Sequence, residues 1–322
     1  MVTLLPYFFN KGDKMARLNL IFSGMFLWMV IAAPAMTFGS EYQEAKVSNG
    51  GSLAGMVTLK GEVPDSRAFP LVLYPFGNFC KKISDGKGNV VINEFIVGPE
   101  KGLQDTVIAI EDVKEGKSFG KIKSEYTAVD CMFHPADVPD SEQFEVSNGK
   151  LQHIHPAVGV IRNDQMISVL NKDPIIHNGQ VFQSERGDIV LNFPLPISDK
   201  ANGGMIHLEP GKRIVQMICG MHEFMQTWGY RVDNPYYDRT KRDGLFNIDQ
   251  IPAGHYKVIA WHPHFKSVEK EISIASGEKV SLNFEFDSSE IRHSNYEIQE
   301  KFRIGPEGHH HGNLKECSPP YC

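Results

Sequence analysis

The chain has no block of lysine and arginine, and no basic stripe with interleaved aromatics. Phosphate backbones demand concentrated positive charge, so nucleic acid is excluded as an expected partner. A phosphate-binding glycine loop, a Rossmann glycine cluster, a Gly-x-Ser-x-Gly elbow and a His-Glu-x-x-His pair are all missing. Without them the familiar nucleotide, hydrolase and metalloprotease chemistries have no foothold, and the chain does not read as an enzyme. There is also no long amphipathic helical pattern and no exact repeat, which removes helical bundles and solenoids.

Long apolar runs are scarce too. One occurs, at residues 18–33, preceded by Lys11, Lys14 and Arg17 and followed by small residues through Ser40. Basic, apolar and small residues in that order form a secretory signal, so residues 1–39 are expected to be a signal peptide. The alternative is an anchor that is never cleaved, but the run is short and is interrupted at Ser23 and Gly24. A periplasmic or secreted location follows, with no stable membrane span after cleavage. The formal charge of −6 becomes −8 without residues 1–39, which carry three basic and one acidic residue.

Cysteine is sparse, with five in 322 residues: Cys80, Cys131, Cys219, Cys317 and Cys322. Exported cysteines tend to pair, and an odd count leaves one over. Cys317 with Cys322, and Cys80 with Cys131, are natural pairs. Cys219 is then the remainder, although spacing alone does not fix the connectivity.

What is present in quantity is short strand-like segments. Residues 53–59, 90–92, 95–97, 106–110, 158–161, 167–170, 189–193 and 213–218 are β-rich and bounded by turn residues, and 69–76 is an apolar segment of the same kind punctuated by prolines. Further runs lie at 229–232, 244–248, 256–261, 271–274 and 280–286. This spacing predicts an all-β fold built of sandwiches. Residues 137–150, rich in Asp, Ser, Asn and Gly, are expected to be a surface loop.

The sharpest chemical signal is Cys219-Gly220-Met221-His222-Glu223-Phe224-Met225, directly after a strand. The second is Asn171-Lys172-Asp173-Pro174-Ile175-Ile176-His177-Asn178, also after a strand. A thiolate and two imidazoles, with a weak axial thioether, form the donor set of a mononuclear redox copper site. His177, Cys219, His222 and Met225 are therefore the candidate ligands of one copper ion. Met221 and Glu223 are substitutes for Met225.

The Asn-x-Asp turn leading to His177-Asn178, and the Cys-x-x-His spacing, resemble the ligand motifs of cupredoxins of the plastocyanin and pseudoazurin type. The His-x-x-Met spacing departs from them and is similar to the end of a binuclear copper loop, but one cysteine does not make a binuclear centre. The longer chain resembles periplasmic proteins of the methylamine-utilisation-like group, over about residues 53–286. Cys131-Met132-Phe133, His155-Pro156, Asn234-Pro235-Tyr236-Tyr237, Ile251-Pro252 with Gly254 and Tyr256, and Trp261-His262 carry that likeness. The resemblance implies a cupredoxin-like Greek-key sandwich plus a small carboxypeptidase-regulatory or transthyretin-like β-sandwich. It places an N-terminal β region at 50–125, the copper region at 126–235, the small sandwich at 236–288 and a tail at 289–322. A tandem order and an order with the copper region inserted into the small sandwich both remain open.

One-electron transfer through copper to a redox protein such as a cytochrome is the expected function, with one imidazole edge near the surface as the exit. A copper carrier or storage protein, and a metal-free structural or carbohydrate-binding sandwich, are the alternatives. His153 with His155, and His262 with His264, are expected to be loop or strand-end pairs, the latter facing solvent. His309, His310 and His311 read as a solvated tail.

Overall fold

The computed structural model describes residues 42–139, 142–147, 150–184 and 187–292, without the side chains of 144–147 and 150–153. The expected signal segment, Cys317, Cys322 and the His309–His311 cluster lie outside the described residues. The fold is all-β, and among the described residues the strands are joined by loops and short helical turns. Among the described residues no helix is long and apolar enough to cross a membrane.

A small sandwich forms from strands far apart in sequence. Gly51–Lys60 is central in one sheet, antiparallel to Leu245–Ile251 and parallel to Lys279–Ser281 and Phe284–Asp287. The facing sheet runs Tyr237–Arg239, Val107–Ile110, Gly254–Trp261, Val268–Ile274. Period-two alternation points Leu53, Val57 and Leu59 inward, onto Ile108, Ile110, Val258, Phe284 and Phe286. The second face of Val107–Ile110 and Gly254–Trp261 is also covered. There Val107, Ala109, Ile259 and Trp261 pack against Val158, Trp228 and Tyr230. Burial on both faces is why residues 107–110 are apolar without alternation.

The larger part has a five-stranded sheet, Val158–Ile161, His222–Arg231, Ile214–Cys219, His177–Gln183, Asp188–Leu195. Its strands share one core with the sheets Asn202–Ile206, Gln165–Asn171, Glu125–Val129, Met132–Pro135 and Arg67–Pro70, Asn89–Ile92, Lys150–Ile154, Phe144–Ser147. Strands of the 50–125 region are thus divided between the two parts. Asn234, in the link from His222–Arg231 to Tyr237–Arg239, anchors that link to the small sandwich. Its side chain donates to the Ile110 carbonyl at 2.8 Å and accepts from the Tyr236 amide at 2.9 Å.

Two departures from the sequence reading matter here. Phe144–Ser147, inside the 137–150 stretch expected to be a surface loop, is a strand and pairs antiparallel with Lys150–Ile154. Backbone pairing at a sheet edge needs no apolar alternation, so the polar composition hid it. Residues 69–76, apolar and broken by prolines, do not continue as a strand. After Arg67–Pro70 the chain folds into 3-10 turns at Leu71–Leu73 and Lys81–Ile83, flanking a short helix at Gly77–Cys80. This cap lies over the cluster described next.

Candidate metal centre

Three neighbouring strands bring the candidate ligands together. Cys219 ends Ile214–Cys219 and His222 opens His222–Arg231, joined through Gly220 and Met221. The strand that His177 opens pairs on the other side, Gly179 opposite Cys219. The Gly220 amide donates to the Asn178 carbonyl at 2.9 Å. A Cβ at Gly220 would come within 2.6 Å of Asn178 Oδ1 and 2.9 Å of Gln180 Nε2, so a side chain there would have to push both amide ends aside.

The donor atoms converge. Nδ1 of His177 and Nδ1 of His222 are 3.2 Å apart, and Cys219 Sγ is 3.7 Å from each. A point equidistant from all three lies about 2.1 Å from each, close to a metal–imidazole bond, ~2.0–2.1 Å for zinc. The thiol is free and wholly buried. His177 and His222 are 2% and 0% exposed, so neither imidazole edge reaches the surface and the expected exit edge is not there. The reason is the cap, which sits between His222 and solvent.

The far nitrogen of each imidazole is spoken for. His222 Nε2 donates to the Pro75 carbonyl at 2.8 Å. His177 Nε2 donates to the Asp173 carboxylate at 2.9 Å. A carbonyl only accepts, and a carboxylate accepts here, so both hydrogens sit on Nε2 and both Nδ1 atoms are presented as ligands. Two imidazole Nδ1 atoms and a thiolate facing one another at these distances require a cation between them, a proton or a metal.

Asp173 is itself held by the motif that precedes it. Asn171 Oδ1 accepts from the Asp173 amide at 3.0 Å, and Asn171 Nδ2 donates to the carbonyls of Ile175 and Leu195. The Asp173 carboxylate also accepts from the amides of Asp130 (2.6 Å) and Cys131 (2.9 Å). Those two residues make the tight turn between Glu125–Val129 and Met132–Pro135, both left-handed with φ of 50° and 58°. Asp173 thus offsets a backbone cost that non-glycine residues pay in that region.

Charge at the site follows. Burial pushes the Cys219 thiol up, but the contacts with His177 and His222 and the amides of Asn178 and Met221 outweigh it. The thiol comes down to about 6 from 9.0. Burial lowers His177, yet Asp173 and Cys219 together raise it to about 9 from 6.5. Burial raises Asp173, and its bonds to His177 and to the Cys131 and Asp130 amides bring it below the usual carboxylate value. The metal-free protein therefore holds a thiolate beside an imidazolium at neutral pH.

Met225 is fully buried in the same core as Cys219 and lines a small cavity with Met132, Phe133 and Phe224. Met221 is half-buried against that core. Glu223 accepts from the Tyr74 hydroxyl at 3.4 Å, on the cap side.

Cys80 and Cys131 form a disulfide, which leaves Cys219 as the free thiol among the described cysteines. Cys80 Sγ is 3.9 Å from His222 Nε2. The sequence offered no sign that this bridge borders the ligands, nor that Pro75 and Asp173 orient them. The one cue was Asp173 standing four residues before His177.

The remaining histidines differ from expectation. His262 and His264 are 1% and 3% exposed rather than solvent-facing. His262 stacks on Phe95, and His264 lies 3.5 Å from Glu94, itself bound to Arg67. The strand before them turns inward at Trp261, so the following loop is carried into the junction of the two parts. His155 is buried at the same junction, with its Nδ1 3.0 Å from the Asn93 carbonyl. The side chain of His153 lies outside the described residues.

No family model and no curated protein matches the chain. Among solved structures, a reduced point mutant and an oxidised point mutant of amicyanin are similar to it. Each is 16% identical, covering 39% of this chain and 98% of the amicyanin chain, at a TM-score of 0.17. The Bacillus anthracis TIE protein is 9% identical, covering 76% of this chain and 52% of its own, at a TM-score of 0.15. At these scores the reading of the site rests on its own geometry.

Proposed function

We propose that this is an exported, non-enzymatic protein whose His177 Nδ1, Cys219 Sγ and His222 Nδ1 would hold one copper ion, with Met225 as a further, weak ligand. Its role is to pass single electrons between redox proteins in the periplasm, a cytochrome being one suitable partner. The observation that carries this reading is the triangle of two imidazole nitrogens and one thiolate, sized for a metal and closed to solvent.

Such a set would hold copper in both its monovalent and divalent states, sulfur suiting the first and nitrogen the second, and so supply one-electron chemistry. The chain's own residues supply the rest. Asp173 and Pro75 fix both rings by their far nitrogens, so little has to move when the charge at the centre changes. The amides of Asn178 and Met221 point at Cys219 Sγ and hold negative charge on it. Phe224, tilted against His222 with ring centres 5.5 Å apart, keeps water away. This closure favours a resident redox ion over a carrier, whose ligands would need an open path for exchange.

The test is visible absorption and electron paramagnetic resonance of the copper(II)-loaded chain from Ser40, beside Cys219→Ser. An intense thiolate charge-transfer band, absent in the variant and reversibly bleached by ascorbate, supports the reading. Stoichiometric copper with no such band would favour a carrier. No bound copper would leave a metal-free sandwich.

A further inference from the structure

The disulfide occupies an unusual place. Cys131 Sγ, an Asp173 carboxylate oxygen and a His177 ring nitrogen lie within 4.8 Å of one another. A second such group, Cys219, His177 and His222, is the centre already described. The two groups share one imidazole and meet at its opposite edges. Asp173 is on the Nε2 side at 2.9 Å, and Cys219 is on the Nδ1 side at 3.7 Å. Cys80 is bonded to Cys131, and its Sγ lies 3.9 Å from His222 Nε2, so once the bridge opens it has to swing from the His222 side toward Asp173 and His177 to join them. Cys80, Cys131, Asp173 and His177 are each at most 2% exposed.

We infer that the dithiol form of this chain has a second metal site, formed by the thiolates of Cys80 and Cys131 with Asp173 and His177 Nε2, which the disulfide closes. The donor set, two thiolates, one carboxylate and one imidazole, suits a thiophilic ion that accepts four ligands, zinc(II) or copper(I). Opening it requires two electrons and two protons: the sulfur–sulfur bond breaks, two thiols form, and a dithiol such as dithiothreitol becomes its cyclic disulfide. Metal binding would then release two thiol protons and the His177 Nε2 proton to solvent, leaving His177 an imidazolate bridge when the Cys219 centre is also filled.

The frame tolerates this change. Cys80 sits at the end of the short helix Gly77–Cys80, in a cap that touches the ligands through the Pro75 carbonyl and through Tyr74, packed edge-on to Phe224 at 5.2 Å. Cys131 sits in the two-residue turn whose amides Asp173 already holds. The cap side can give while the Asp173 side stays. A newly exported chain carries thiols before it carries the disulfide. The site would therefore take metal at the back of His177 first, and oxidation would then leave the Cys219 face as the one place to hold it.

The inference rests on the proposed reading for His177 but fails separately from it. Zinc(II) is the probe for stoichiometry and cobalt(II) the probe for thiolate coordination, since neither oxidises thiols. The chain from Ser40 is compared oxidised and after dithiothreitol treatment and desalting under nitrogen. One zinc per oxidised chain and two per dithiol chain are expected. Dithiol Cys219→Ser should keep thiolate-to-cobalt absorption, and Cys80→Ser/Cys131→Ser should fall back to one zinc. Zinc absent from the oxidised chain but bound at one equivalent after reduction would refute the Cys219 centre and keep the second site. Equal zinc in both forms, a second equivalent that survives Cys80→Ser/Cys131→Ser, or loss of near-ultraviolet dichroism on reduction would each overturn the second site.

Discussion

The metal-free centre makes a specific claim about where one proton sits. In the unfolded chain Cys219 titrates at 9.0 and His177 at 6.5; in the folded chain they titrate at about 6 and about 9. The depressed thiol contributes stability that is present above 9.0 and lost as pH falls through about 6. The raised imidazole contributes stability that is present below 6.5 and lost as pH rises through about 9. Between those limits the two opposite slopes cancel, because folding moves one proton from sulfur to nitrogen and takes up none. The pair therefore leaves stability flat to within ~1 kcal/mol from pH 6.5 to 9, despite shifts of several units. The assays are thiolate absorbance near 240 nm and urea unfolding, both on metal-free chain across pH 5–10. Thiolate absorbance should rise with a midpoint near 6 and vanish in Cys219→Ser, while the pair-dependent part of stability, taken against Cys219→Ser, stays level. A thiol that titrates near 9 in the folded chain would refute the ion pair, and with it the argument that the site is built around a cation.

Other consequences are sharper in magnitude. Metal binding at pH 7.5 should release about one proton per ion, the one on His177 Nδ1, in unbuffered titration calorimetry or dye-monitored pH change. Asp173→Asn removes the acceptor at His177 Nε2, so metal affinity should fall ~10–100-fold in chelator competition and the 240 nm midpoint should move up; an unchanged midpoint would dismiss Asp173 as an orienting group. Loss of the Cys80–Cys131 bridge, whose cysteines are 51 positions apart, should cost about 4 kcal/mol in denaturant unfolding through the freedom returned to the unfolded chain. Met225→Leu keeps the volume, so stability should change by less than ~1.5 kcal/mol while the copper absorption shifts; an unmoved spectrum would exclude Met225 as a ligand.

Much of this was legible in the chain. Strands such as Val158–Ile161 and Ile214–Cys219 announced themselves through alternation and turn residues, and the Cys219-x-x-His222 spacing marked the place where chemistry collects. Legibility ended where distant segments meet. Gly51–Lys60 carries the pattern of a half-buried strand, but nothing in it names Leu245–Ile251 as its partner. His262 and His264 look like a strand-end pair because the sequence does not show which loops the fold carries inward. The cap could not be read from composition, since Pro70 and Pro75 say only that a strand stops. Asp173 was visible as part of a turn, but its grip on His177 and on the Asp130–Cys131 turn depends on three strands arriving together. Local pattern thus located the donors, and tertiary packing decided how they are aimed.

A crystal structure of the copper-loaded chain, with anomalous data collected on both sides of the copper edge, tests the central claim most directly. The account predicts one full peak within bonding distance of His177 Nδ1, His222 Nδ1 and Cys219 Sγ, beneath the Pro75 carbonyl. A peak elsewhere, with Cys219 outside bonding range of any copper, would contradict it.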